Sequence, residues 1–291
     1  MGITSLLARL WLAAVSLPTA HAAIVVLYEP GVDAYSEAFE GLCAGLGGNA
    51  VRVVDLRQGE PTLTRALSAK DTQLIVAVGS RALAEVQSHK VSAPVVGTMV
   101  LHGREMEESG HVDLEVPLSM QCGAMRALWP QHARVGIIRN PARSRYSAEA
   151  LESRARKEGF TSLVVDCDGP GGLLKAVAAL KGKVDFLLCF PDPDLYNAVT
   201  IKPLVMASLE SRLPIIGFSP AFVRAGAAAG IYPDYRDTGR QTAEMVLRIL
   251  HGDDRAADEG PRKIQVAVNQ RITRLLGVEF QTASLPVEVL R

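Results

Sequence analysis

Asp192 and Asp194 flank Pro193 just after the apolar run 186–190, so two carboxylates leave a predicted strand end together. One can cap the helix that the pattern starts near Leu195, and the other can take an amine or hydroxyl of a ligand. Asn140 stands before Pro141 at the end of run 134–139. Its amide can donate and accept at once, or simply initiate a turn. Glu29 holds the corresponding place after run 24–28. Ser80 follows Gly79 where a helix begins; its hydroxyl and the free backbone N–H groups there can hold an anion or serve as a plain N-cap. Thr98, beside Met99, and Ser219 close two further apolar runs. Tyr35 and Tyr146 occupy matched positions six residues beyond Glu29 and Asn140, as walls of a cleft or as packing residues.

These groups suit recognition rather than bond-breaking. The chain holds no Gly-x-Ser-x-Gly elbow, no P-loop and no H-E-x-x-H, so no enzyme is expected. His21, His89, His102, His111, His132 and His251 fall singly. His102 and His111 flank a loop with Glu105, Glu107 and Glu108, read as solvated in preference to metal-binding, so neither metal nor other cofactor is expected. Cys43, Cys122, Cys167 and Cys189 lie far apart inside apolar stretches, as core residues, with a Cys167–Cys189 bridge the alternative.

The elements that must position these residues alternate. Runs 24–28, 51–56, 74–79 and 94–99 are nearly continuous in apolar character, as parallel strands buried on both faces require. Segments 34–46, 63–69 and 81–88 between them carry helical spacing. The order returns with strands at 134–139, 163–167, 186–190 and 214–219, and helices at 147–158, 173–180 and 196–212. Letters repeat too. Glu29-Pro30 with Tyr35-Ser36 recurs as Asn140-Pro141 with Tyr146-Ser147, and Val53-Val54-Asp55 as Val164-Val165-Asp166. Pro94-Val95-Val96-Gly97 returns as Pro214-Ile215-Ile216-Gly217. Two Rossmann-like α/β lobes of one architecture follow, with ligands expected outside the carboxyl ends of the strands. A short extended stretch at 231–235, a strongly amphipathic helix at 237–250, a polar linker at 251–261, a strand at 263–269 and a helix at 272–276 remain, so the chain is expected to cross back between the lobes. The expected division is 23–116 with 236–258 for lobe one, 117–231 with 261–280 for lobe two, and a tail at 281–291.

The 291 residues suffice for two such lobes, and 48% hydrophobic content supports their cores. Thirty-one basic residues balance 31 acidic ones, which excludes the basic face that nucleic acid requires. Residues 6–17 are apolar except for Arg9 and Ser16, and Pro18 and Ala20-His21-Ala22 follow. They read as a secretory leader, residues 1–22, cleaved near Ala22/Ala23. The run falls short of the ~20 residues a membrane span needs. No cysteine follows the cleavage point to carry a lipid, so a periplasmic protein without a membrane anchor is expected. Trp129 is the only tryptophan outside the leader, a reporter of closure if it lies near a hinge.

The run Phe222-Val223-Arg224-Ala225-Gly226-Ala227, then Tyr232-Pro233-Asp234-Tyr235, then Gly239-Arg240-Gln241-Thr242-Ala243-Glu244 resembles the C-terminal signature of a group of ABC-transporter substrate-binding proteins. Val266-Ala267-Val268-Asn269, Leu275-Leu276-Gly277-Val278 and Ile137-Ile138-Arg139-Asn140-Pro141 are similar to further segments of that family. The resemblance implies the type I periplasmic-binding-protein fold: two lobes, three crossings between them and a ligand in the cleft. It also implies the group that includes binders of aromatic-amino-acid-like ligands. The first lobe departs from the pattern at Met99-Val100-Leu101-His102 and Ser109-Gly110-His111-Val112, where a stretch ending in Asp-Pro and an Asn-Val-Thr-Gly segment are usual. The expected function is therefore uptake of a small polar solute with an ABC permease. A periplasmic sensor docking on a membrane receptor or kinase is the alternative, and an enzyme on the same scaffold comes third.

Overall fold

The computed structural model describes residues 23–101, 110–253, 257–282 and 286–290. The leader, His102 and the three glutamates of the adjacent loop lie outside the described residues.

The first half alternates β1 (Ala23–Tyr28), α1 (Asp33–Leu46), β2 (Val51–Asp55), α2 (Glu60–Leu67), β3 (Thr72–Val78), α3 (Ser80–Gln87), β4 (Val95–Val100) and β5 (Gly110–Asp113). All five strands run parallel in the order β2-β1-β3-β4-β5. The apolar runs are explained by burial on both faces. Ile24 and Val26 enter the core under α1, whereas Val25 and Leu27 enter the one under α2 and α3.

The second half continues with α4 (Leu118–Leu128), β6 (Arg134–Arg139), α5 (Ala148–Lys157), β7 (Thr161–Asp166), α6 (Leu173–Leu180), β8 (Phe186–Leu188), α7 (Ile201–Ser211), β9 (Ile215–Gly217), α8 (Pro220–Arg224) and β10 (Ala229–Pro233). Then α9 (Tyr235–Leu250), β11 (Ile264–Asn269), α10 (Gln270–Leu276) and β12 (Glu288–Leu290) complete the chain. The second sheet is ordered β12-β11-β10-β9-β8-β6-β7, so β7-β6-β8-β9-β10 repeats the first sheet's arrangement. The repeat extends to register. Ile24 pairs with Val51, and Val135 pairs with Ser162, both partners displaced by the same 111 residues.

Several elements differ from the sequence-based expectation. Strand β5 was not anticipated, because Gly110-His111-Val112-Asp113 carries two polar side chains that are nonetheless buried. Helix α4 lacks a side-chain N-cap and contains Gly123, which weakens its signal. Helix α7 begins at Ile201 rather than 196. Asn197 and Thr200 form a turn there, with Asn197 Oδ1 accepting from the Val199 and Thr200 amides. Within the expected tail, residues 288–290 form β12, parallel to β11. All four cysteines are free thiols. Trp129 is 1% exposed and packs on Phe186 in the second lobe's core, so it does not lie at a hinge.

Helix α9 leaves the second sheet through β10 and packs on α1 of the first. Asp234 starts it by accepting from the Asp237 amide at 2.9 Å, a cap of about 1 kcal/mol. Gly239 then lets the two helices touch backbone to backbone: a Cβ there would sit 1.9 Å from the Ala38 carbonyl oxygen. Gly41 of α1 answers it, with the Arg236 carbonyl oxygen 2.0 Å from where its Cβ would be. Gln241 donates to Glu259 Oε2 at 2.6 Å and to the Gly260 carbonyl at 3.0 Å, tying down the returning segment. Buried Asp237 accepts from Arg262 Nε (3.0 Å) and Lys263 Nζ (2.8 Å) where that segment enters β11. The motif Asp234…Gly239-Arg240-Gln241 is thus the fastening between the lobes. Residue 259 also pairs beside β5, with the Asp113 amide donating to the Glu259 carbonyl at 2.9 Å.

Candidate ligand site

Parallel strands present their carboxyl ends together, and at those of β6 and β8 a pocket opens. It holds about 440 Å³ of empty space, part of it continuous with solvent. Ile137, Ile138, Leu151 and Phe190 give it apolar walls, and Asn140, Tyr146, Asp192 and Glu115 give it polar ones. The four polar positions come from three separate segments, two of them turns locked by local hydrogen bonds.

The turn after β6 is set by Asn140. Its Oδ1 accepts from the Ala142 amide at 3.0 Å, and its carbonyl accepts from the amides of Arg143 and Ser144. This fixes the amide orientation and leaves Nδ2 in the pocket without an acceptor among the described residues, although Asn140 is only 4% exposed. Arg139 holds the far side of the turn, bidentate on Asp166 (2.8 and 2.7 Å) and donating to the Tyr146 carbonyl at 3.0 Å. The Tyr146 ring carries the Arg154 guanidinium at 4.3 Å and that of Arg145 at 5.3 Å from its centroid. After β8, Asp192 Oδ1 accepts from the amides of Asp194 and Leu195, and Asp194 pairs with Arg143 at 2.8 Å.

The third contribution comes from the segment joining β5 to α4. Glu115 lines the pocket, partly buried, and makes no hydrogen bond or ion pair among the described residues. Burial, helped by the neighbouring Asp113 charge and opposed by Arg145, pushes its carboxyl up to about 7. Glu115 and Tyr146 are shared with a larger neighbouring groove, with about 1380 Å³ of empty space that likewise runs into solvent, lined by Asp113, Arg145, Arg154 and Asp258.

In the first lobe, Glu29 pairs with Arg81 at 3.0 Å, and the Tyr35 ring covers Gly79 so closely that a Cβ there would lie 2.6 Å from it. Burial and the Glu29 charge hold the Tyr35 hydroxyl above its ordinary pKa. Gly79, at φ +90°, takes the N-cap position of α3, so Ser80 does not cap that helix. Its Oγ accepts from the Leu101 amide at 3.3 Å.

Glu29, Tyr35 and Ser80 thus gather at one sheet's edge, and Asn140, Tyr146, Asp192 and Asp194 at the other's. Thr98 joins neither group: it is fully buried, and its Oγ1 accepts from the Thr242 hydroxyl at 2.7 Å. Regular alternation from Val96 puts it on the face that α9 covers, and the bulge that shifts the β4–β5 register comes only afterwards, at Met99 (φ +57°). Ser219 caps α8, accepting from the Phe222 amide at 3.2 Å. Sequence reasoning missed Glu115, Arg143, Ser144 and Phe190 in the pocket. The signal for the first was a pair of acids, Asp113 and Glu115, alternating with apolar residues in Val112–Pro117; for the second, the basic cluster after Asn140-Pro141.

Two α/β lobes of matching strand order, linked by three crossings, define a binding protein of the type I periplasmic-binding fold. The chain belongs to the family of ABC transporter substrate-binding proteins, which it matches over residues 60–286. It is similar to the ligand-free, open structure of a substrate-binding protein with adhesive properties from Clostridium difficile: 18% identity, 93% of this chain, 99% of that one, TM-score 0.70. A conserved domain protein from Vibrio cholerae (19%, 92% and 99%, 0.61) shares the fold. So does an ABC domain in complex with L-Trp from Streptococcus pneumonia (18%, 93% and 100%, 0.61). Comparison with curated proteins returns no match. No helix among the described residues is long and apolar enough to cross a membrane.

Proposed function

We propose that this chain is the solute receptor of an ABC-type uptake system, exported by its leader to the periplasm, and that it closes on a small polar molecule between its lobes. The observation that carries this reading is the pocket at the carboxyl ends of β6 and β8, bounded by Glu115 from a crossing segment. A ligand there touches both a lobe and the hinge, so it binds the closed arrangement more tightly and shifts the equilibrium toward it.

Lobe one comprises residues 23–116 with 236–258, and lobe two 117–231 with 261–280. Asn140, Tyr146 and Asp192 contact the ligand from lobe two; Glu29, Ser80 and Tyr35 meet it from lobe one upon closure. Asp194 acts by holding Arg143, and Thr98 and Ser219 support the fold at the rims. The protein binds and releases its ligand unchanged, and the closed form docks on the permease.

Native mass spectrometry of the protein purified from a periplasmic extract tests the reading, followed by X-ray scattering with the recovered compound. A bound small molecule and a smaller radius of gyration are expected, along with loss of that compound's uptake when the gene is deleted. Ligand-induced closure with uptake unaffected would move the assignment to a sensor. A scattering profile that no metabolite changes would end it.

A further inference from the structure

The pocket's charges do not balance. Two guanidinium groups line it, and each is already held by a carboxylate: Arg139 by Asp166 and Arg143 by Asp194. Asp192 and Glu115 remain, so four carboxylates stand against two cations, and Arg145, at the neighbouring groove, is itself held by Asp113. The Asp192 charge is partly met by the two amides that donate to its Oδ1. Glu115 has nothing comparable. Arg154 is stacked over Tyr146 and, like Arg145, lines the neighbouring groove rather than this pocket.

A carboxylate withdrawn from water without a donor is costly, and the molecule that enters beside it can relieve the cost by bringing a charged donor of its own. Resting on the reading of this pocket as the ligand site, we propose that the ligand is a small organic cation, an amine or amidinium on a partly apolar body, and that Glu115 binds its charged nitrogen. Ile137, Ile138 and Phe190 receive the apolar body, and the unmatched Nδ2 of Asn140 donates to an acceptor on it. The raised pKa of Glu115 agrees with this: its proton leaves readily near neutrality when a cation arrives. An anionic ligand would meet the unpaired charge of Glu115 with every nearby guanidinium already engaged.

The test is a binding screen by thermal shift and calorimetry, with metabolites divided into cations, neutral compounds, zwitterions and anions. Tyramine, tyrosol, tyrosine and 4-hydroxyphenylacetate supply one body in four charge states, and agmatine and putrescine extend the cations. Binding led by cations is expected, at least tenfold above the matched neutral compounds. Glu115→Gln should remove most of that preference while melting cooperatively at or above the wild-type temperature. Binders that are all neutral, zwitterionic or anionic overturn the cation inference and leave the receptor reading standing. Cation affinity unchanged in Glu115→Gln overturns the role of that residue. A screen in which no class binds overturns both.

Discussion

Asp113 Oδ2, at the end of β5 in the first lobe, lies 2.8 Å from Nη1 of Arg145, in the turn between β6 and α5 of the second. The other oxygen of Asp113 faces Nε2 of His111 at 3.1 Å, and Asp113 is 4% exposed. One carboxylate therefore joins the first sheet to the turn that carries Tyr146. The pair is buried on its acidic side and one-third exposed on its basic side, so it is worth more than a surface ion pair.

Arg145→Ala should consequently loosen the lobes. Asp113 keeps its His111 contact but loses its charged donor, a cost of about 1–3 kcal/mol. Denaturant unfolding should report that loss, and X-ray scattering of the ligand-free protein should show a larger radius of gyration. An unaltered profile with unaltered stability would mean that the pair is incidental to lobe placement.

The contact of α9 with α1 makes a second prediction, because it is a matter of volume rather than charge. Gly239→Ala places a methyl group 1.9 Å from the Ala38 carbonyl oxygen, and both atoms belong to rigid helices. Destabilisation of about 3 kcal/mol or more is expected, read as a lower denaturation midpoint. Gly123→Ala is the control. Gly123 lies in α4 with nothing within 4 Å of its Cβ position, so alanine should stabilise by about 0.5–1 kcal/mol through helix propensity. Equal effects at both sites would refute the close-approach account.

Most of the fold was legible because its repeat is written in burial. Runs such as Ile24-Val25-Val26-Leu27 are apolar on both faces only in a doubly covered parallel strand, and the offset between halves reappears in the register of β1–β2 and β6–β7. Strand β5 was hidden because its polar residues are satisfied from far along the chain, with Asp113 met by Arg145 and by the backbone of Glu259. The site was legible at Asn140 and Asp192, whose places follow from strand ends. Thr98 occupied an equivalent place, yet the alternation of its own strand sets it on the face that α9 covers, against Thr242. Glu115 alternates with Asp113 like the wet face of a strand, and only the crossing of the lobes makes its position half-dry.

Asp194 is expected to act through Arg143, and that separates it from Asp192. Asp194→Ala frees a guanidinium beside a pocket that already favours cations, and the pair is exposed. Cation affinity should fall two- to fivefold, in keeping with about 0.5–1 kcal/mol. Arg143→Ala combined with Asp194→Ala should restore it. Asp192→Ala removes acceptor and charge together, weakening binding further and costing about 1 kcal/mol of stability as the Asp194 and Leu195 amides lose their acceptor. In calorimetry, additive losses in the Arg143/Asp194 double variant would show that Asp194 meets the ligand itself.

Glu115 sets a stability that depends on pH, in the direction opposite to most carboxylates. Its pKa is about 7 in the folded protein against 4.5 for the free group, so between these values the folded state retains a proton that the unfolded state has released. Folding is therefore favoured on the acid side, and this contribution disappears as pH rises from about 4.5 through 7. The full difference is at most about 3 kcal/mol and less where water reaches the carboxylate. Glu115→Gln abolishes the titration. Its stability advantage over the wild type should be small at pH 5 and should grow toward its limit at pH 8, in ligand-free protein. Asp113, Asp192 and His111 are common to both proteins, so the difference between the two curves reads the substitution at Glu115. A bound cation reverses the sign, since it favours the ionised carboxylate. Saturating ligand should therefore flatten or invert the wild-type pH slope and leave that of Glu115→Gln unmoved. Parallel stability curves for the two ligand-free proteins across this range would place Glu115 in water, and the pocket would lose its unpaired charge.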